Sequence, residues 1–194
     1  MAHLTRDDLY SLEQYAEQRA EMRATVMAHK KNRQLHIGPH ATLYFEDRLT
    51  MQYQIQEMLR VERIFEADAI QEELDTYNPL VPDGSNWKAT FMIEYTDVEE
   101  RQQALTQMVG IEQQVWMQVE GFDPVYAIAD EDLERADEHK TSAVHFLRFE
   151  LSAEMAEAVR TGADINAGID HQNYRHSNEP ISRDIRDSLA DDLT

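Results

Sequence analysis

Eight histidines, 38 carboxylates and no cysteine define the chemistry open to this 194-residue chain. Disulfides, thiolate zinc sites and cysteine-ligated iron–sulfur clusters are excluded, so no thiolate-ligated cofactor is expected. Any metal must be held by His, Asp, Glu or backbone oxygen. Four histidines fall at suggestive places: His36 and His40 flank the Gly38-Pro39 turn, His145 lies in "SAVHFLRFEL", and His171 follows Asp170 in "GIDHQNY". With Glu46 or Glu62 these are the ingredients of a mixed His/carboxylate metal site. Dispersed residues need not meet in space, so His36, His40, His145 and His171 stand as metal candidates only.

The stretch "DRLTMQYQIQEMLRVERIF" (47–65) poses a sharper question. Wound at about 100° per residue, Met51, Ile55, Met58, Leu59 and Phe65 form one apolar stripe with Glu62 inside it. A carboxylate shielded from water must be paired, hydrogen-bonded, metal-bound or protonated. The reading expects a buried Glu62 neutralised by a distant base, with Arg23, Lys88 and Arg148 as candidates; a metal-binding or general-base role is the alternative. Gln52 and Gln56, one turn apart, are expected to bond neighbouring backbone. In 142–151 the alternation puts Ala143, His145, Leu147, Phe149 and Leu151 on the core side, making His145 a core histidine satisfied by its neighbours. Asp170 and His171 end an apolar strand before a turn, where scaffolds often present polar groups. Glu62, His145, Asp170 and His171 are therefore the candidate pocket residues.

One basic island, "HKKNRQLH" (29–36), interrupts an otherwise acidic chain. Lys30, Lys31 and Arg33 fall where the first helix should end, and cations there complement the negative end of the helix dipole. An anion-binding site is the alternative for the same three residues. The familiar phosphate, nucleophile-elbow, zinc-helix and EF-hand motifs are missing. The acidic run "ADEDLERADE" (129–138) lacks the central glycine and alternating ligands of a calcium loop and reads as solvated.

These residues must be carried by a mixed set of elements. Thr5 and Asp8 form a capping pattern for a first helix reaching about residue 32. "ATLYFE" (41–46) reads as a strand, 47–65 as a helix and 67–76 as a second, acidic one. "YNPLVPDGSN" (77–86) is an ordered connector, with two prolines and a glycine in ten residues. Strands follow at 87–95 and, as a hairpin, at 115–129, with a helix at 97–110 between them. A strand at 142–151, a short helix at 152–162 and a strand at 163–169 complete the sequence before an acidic tail (177–194) read as a weak helix or frayed end. Hairpin-like spacings favour an α+β fold with a mostly antiparallel sheet, packed helices, long N-terminal helices and a single domain; parallel α/β is the alternative. The division expected is helix-rich 1–76, connector 77–86, strand-rich 87–170 and tail.

Several segments carry a resemblance: "MAHKKNR", "GPHATLYFEDRLTMQYQIQEMLRVERIFE", "EELDTYNPLVPDGSNWKATFMIEY", "VYAIADEDLER", "TSAVHFLRFEL" and "AGIDHQNY". Together they resemble the bacterial domain-of-unknown-function family 3501 over nearly the whole chain. The resemblance implies one full-length domain and the company of redox or oxidative-stress proteins. It implies no reaction and no site residue.

Charge bounds the partners. Eighteen basic against 38 acidic residues give −20, which disfavours general nucleic-acid or anionic-membrane binding and favours a basic partner. The start has no apolar h-region and no window approaches a membrane span, so a soluble, cytoplasmic protein is expected. The functional expectation is a binding or accessory protein that self-associates beside a redox or stress system, with "QVWMQV" as one interface candidate and a core position for Trp116 as the equal alternative. The alternative is a metal-dependent enzyme or metal-binding protein using the histidines above.

Overall fold

The computed structural model describes residues 3–129 and 140–194. Its helical first third comprises α1 (Leu12–Lys30), a β1–β2 hairpin (Gln34–Ile37, Ala41–Glu46), α2 (Arg48–Glu62) and α3 (Ala67–Tyr77). β3 (Asn86–Ile93), α4 (Val98–Gln107), β4 (Val115–Val119), β5 (Val125–Tyr126) and β6 (Ile128–Ala129) follow. The chain closes with β7 (Val144–Glu150), α5 (Ala153–Arg160), β8 (Ile165–His171), β9 (Tyr174–Asn178) and α6 (Arg183–Ala190).

Every strand pairing is antiparallel, in two sheets ordered β1-β2-β3-β7-β6 and β5-β4-β8-β9. The fold is therefore α+β, and the parallel alternative is set aside. Period-two alternation builds the shared core: Leu43 lies opposite Phe91, Phe91 opposite His145, and Trp87 opposite Phe149. Their inner faces join Met117, Ile165, Ala167 and Ile169 of the second sheet in one apolar cluster.

A clasp ties the two sheets at the β1–β2 turn. Gly38 takes a positive φ of 70°, and a Cβ there would fall 2.5 Å from the His176 ring. Beside it, the Tyr174 hydroxyl accepts the His40 amide (2.9 Å) and donates to the Ile37 carbonyl (2.7 Å). Tyr174→Phe leaves both backbone groups without that partner, and we expect it to cost about 1–3 kcal/mol in urea titration. A loss under about 0.5 kcal/mol, the range of an ordinary surface change, contradicts the clasp.

Four sequence expectations need correction. The Thr5–Asp8 capping box closes only a single 3-10 turn (Arg6–Asp8); a second box, Ser11 with Gln14, starts α1. β1 was read as part of the basic island and in fact pairs along β2. The 115–129 hairpin splits at Ala127, β5 pairing with β4 while β6 crosses to β7. The acidic tail is no frayed end: Ile185, Leu189 and Leu193 enter the core, and the Trp87 indole donates to the Leu189 carbonyl (3.0 Å). The connector is ordered as expected, with Val81 buried and the Thr194 amide bonded to the Gly84 carbonyl. The run at 130–138 lies outside the described residues.

Candidate functional site

A second apolar cluster (Leu4, Met51, Ile55, Leu59, Leu74, Val81) holds α2 and α3 together, and one side of it remains open. α2 stops at Glu62 because Arg63 turns left-handed (φ 57°), its amide and that of Ile64 returning to the Leu59 carbonyl. The short link to α3 then displays Phe65 at 73% exposure and leaves Val61 at 63%. Opposite stands the segment at 6–12. Between them runs a groove of about 610 Å³ lined by Leu9, Tyr10, Leu12, Leu59, Ile64, Phe65 and Ile70, with Arg6, Asp7 and Ser11.

Polar bonds from α2 and α3 fix the outer wall. Gln52 donates to the Asp8 carbonyl (2.6 Å), and Gln56, fully buried, accepts the Tyr10 amide (2.6 Å) and donates to the Tyr10 carbonyl (3.3 Å). Asn78, just beyond α3, brackets Leu4 in the same way (2.8 and 2.9 Å). Arg48 pairs with Asp8 (2.6 Å) and holds its carboxyl near 2. Arg19, with Tyr15 and Arg60, likewise depresses Glu57 to about 2. The expected backbone-bonding role of Gln52 and Gln56 is thus seen, and the groove is held open by bonds already made.

Glu62 is a correction. It is exposed at the last residue of α2, beyond the turn where Leu59 finds a neighbour, so the stripe has nothing left to pack against. Phe65, placed in the same stripe, lies outside the helix. None of the three expected bases pairs with Glu62: Lys88 donates to the Pro79 carbonyl, Arg148 pairs with Glu150, and Arg23 forms no ion pair with it. The polar residue of the seam is the buried Gln56, six residues earlier.

The other candidates are dispersed. His145 is buried on the core face as expected, its Nε2 at 2.9 Å from Thr141 Oγ1 and 3.1 Å from the Ser142 carbonyl, with Glu112 3.8 Å away. The carbonyl can only accept, so Nε2 carries the proton. His171 is buried too: Nδ1 accepts the Asn173 amide and Nε2 donates to the Val109 carbonyl (both 3.2 Å), a fully bonded neutral ring. Both histidines pin the connection from α4 to β4. Asp170 points to the opposite face, accepting from Tyr126 (3.1 Å) near Arg175. His36 bonds Thr42 Oγ1 (2.9 Å), which donates to Glu94 (2.8 Å); His40 stacks on Tyr95 at 3.8 Å. Glu46 is buried between the Thr50 and Thr90 hydroxyls. Among the described residues, no three His, Asp or Glu side chains are arranged to hold a metal ion.

The basic island also separates. Lys30 ends α1 and Lys31 caps it, the dipole-complementing placement, but Arg33 is withdrawn from any exposed anion site. It is 2% exposed, donating to the Phe45 and Glu46 carbonyls (3.0 Å each), to Ser188, and to Asp192 (2.6 Å). Asp47, which N-caps α2, sits 3.4 Å from it and bonds His29. Burial pushes Asp192 up to about 6 against the pull of Arg33, while Asp47, desolvated but less deeply buried, is held low by Arg33, Thr50 and His29. A raised carboxyl binds its proton more tightly folded than unfolded, so its stabilising contribution is complete below about pH 4 and is lost as pH rises through about 6. Asp192→Asn removes that slope: relative to wild type it gains about 2 kcal/mol between those limits. Parallel denaturation curves across pH 4–6.5 check this, and a constant difference refutes it. The signal in the sequence for Asp192 was its place one turn past Ile185 and Leu189.

"QVWMQV" is not a surface. Trp116 is buried over Gly168, where a Cβ would lie 2.4 Å from the indole. The groove was missed because Phe65 was assigned to the buried stripe. Its legible signal was the apolar set Leu9, Tyr10, Ile64 and Phe65 beside two helix ends.

A family model described as "Protein of unknown function (DUF3501)" matches residues 3–193. A crystal structure of a protein of unknown function from Burkholderia pseudomallei K96243 is 52% identical, with a TM-score of 0.93 and 100% of both chains covered. No curated protein matches the chain. No helix among the described residues is long and apolar enough to cross a membrane.

Proposed function

The chain belongs to the DUF3501 family, and from that premise we propose that it is a binding or accessory protein that docks a partner protein in the groove between residues 6–12 and the α2–α3 tip. The observation that carries the reading is Phe65, a phenylalanine 73% exposed at the lip of a groove of about 610 Å³ whose lining mixes polar and apolar side chains. An aromatic side chain left in water forgoes burial worth about 25 cal/mol per Å², which a docked partner would recover. Aromatic side chains seated near such pockets carry a large share of interface energy. The family resemblance directs the search for the partner first to redox and oxidative-stress proteins.

A photo-cross-linking phenylalanine analogue at position 65, expressed in a host that carries the chain naturally, tests this. The expected result is a discrete adduct with one other polypeptide, absent when the analogue stands at exposed Arg160 on α5. No adduct at position 65 contradicts the reading. An adduct with another copy of this chain replaces docking of a partner by self-association.

A further inference from the structure

We propose that the segment received by this groove is a basic amphipathic helix of the partner; the inference rests on the docking reading above. Two observations converge. The groove floor is apolar, with Leu12, Leu59 and Ile70 beneath and Tyr10 and Phe65 at the lips. The charged residues in its lining are Arg6 and Asp7, and the α2–α3 surface just beyond the lining is acidic: Glu62 ends α2, Glu66 and Asp68 open α3, and Glu73 follows Ile70 by three residues on the same helical side.

Those carboxylates differ from the acids of the α1–α2 side. There, Asp8, Asp47 and Glu57 each have a cationic partner within the chain. Among the described residues, Glu62, Glu66, Asp68 and Glu73 form no ion pair. Partial burial first, then the fields of Glu62 and Glu72, raise the Glu73 carboxyl above its ordinary value, and no cation offsets them. Arg6 and Arg63 are the nearby cations, outnumbered by Asp7, Glu62, Glu66, Asp68, Glu72 and Glu73. A helix with apolar anchors at i, i+3 or i+4 and i+7 fills such a groove, and Lys or Arg flanking the anchors supplies the missing charge. A second copy fits badly, since it brings the same acidic rim and a net charge of −20.

The test is selection from a display library of short random peptides on the full chain, with counter-selection on Phe65→Asp, an exposed change that leaves the core intact. The expected result is enrichment of Phe65-dependent peptides with helical apolar spacing and excess Lys or Arg. Joint replacement Glu62→Gln and Glu73→Gln should weaken their binding about two- to tenfold, and added salt should weaken it too. Phe65-dependent peptides without a basic bias overturn the basic partner and leave docking standing. Failure to enrich any Phe65-dependent peptide overturns both. Concentration-dependent dimerisation abolished by Phe65→Asp, seen by light scattering, overturns the proposal in favour of a second copy.

Discussion

Arg33→Met is expected to lower the free energy of unfolding by about 3–5 kcal/mol, the cost of breaking a buried ion pair from one side. The guanidinium holds two β2-end carbonyls, Ser188 and Asp192 at once, joining residues more than 150 apart in sequence. Without it Asp192 is a buried carboxyl left with only the weaker influence of His29. It then keeps its proton to higher pH than in wild type, so the variant should be least impaired in acid. Pairing Arg33→Met with Asp192→Leu should recover part of the loss, because two apolar side chains can replace a buried pair at little cost. Urea denaturation of the two single variants and the double variant measures this. A single-variant loss under about 1 kcal/mol places Arg33 in solvent and restores the anion-site reading.

Trp87→Ala is expected to cost about 3–5 kcal/mol, as large-to-small changes of buried aromatics do. Trp87 is fully buried on β3 opposite Phe149, and its indole nitrogen donates to the Leu189 carbonyl in α6. Trp87→Phe separates the contributions: it keeps most of the packing and loses the bond to α6, so about 1 kcal/mol is expected. Limited proteolysis reads the same coupling independently, with the C-terminal helix of Trp87→Ala cut faster than that of wild type. Equal cutting with undiminished stability shows that α6 is not anchored through this residue.

The fold was largely legible where one face of an element is buried. Alternation in "SAVHFLRFEL" placed His145, Leu147 and Phe149 on the core side, and the structure buries those three. Caps and turn residues also located α4 and α5 within a few positions, since Asp97, Ser152 and Gly110 act locally. What failed depended on distant neighbours. Ile185, Leu189 and Leu193 stand at helical spacing, yet the surrounding aspartates made the tail look solvated; only the core made by other strands explains their burial. β1 has four residues and follows a run of cations, so its strand character comes from pairing with β2.

The site was less legible than the fold. Helical angles assign Glu62 and Phe65 to the stripe, but an angle cannot say where the opposing surface ends. It ends after Leu59, and the same termination that exposes Glu62 opens the groove. Histidines at 36, 40, 145 and 171 share a chemistry without sharing a place, because each is bonded to different partners in a different part of the fold.

Because the chain has no cysteine, a single introduced thiol reports on one position alone. Asp7→Cys puts it on the groove's wall while keeping Phe65 and the apolar lining, and Glu154→Cys on exposed α5 is the control. The account predicts that a maleimide labels both at similar rates in the purified protein, and that in host cells only position 7 slows, by about tenfold, as a partner covers it. If position 7 labels as fast in cells as in isolation, relative to position 154, the groove is not a docking surface.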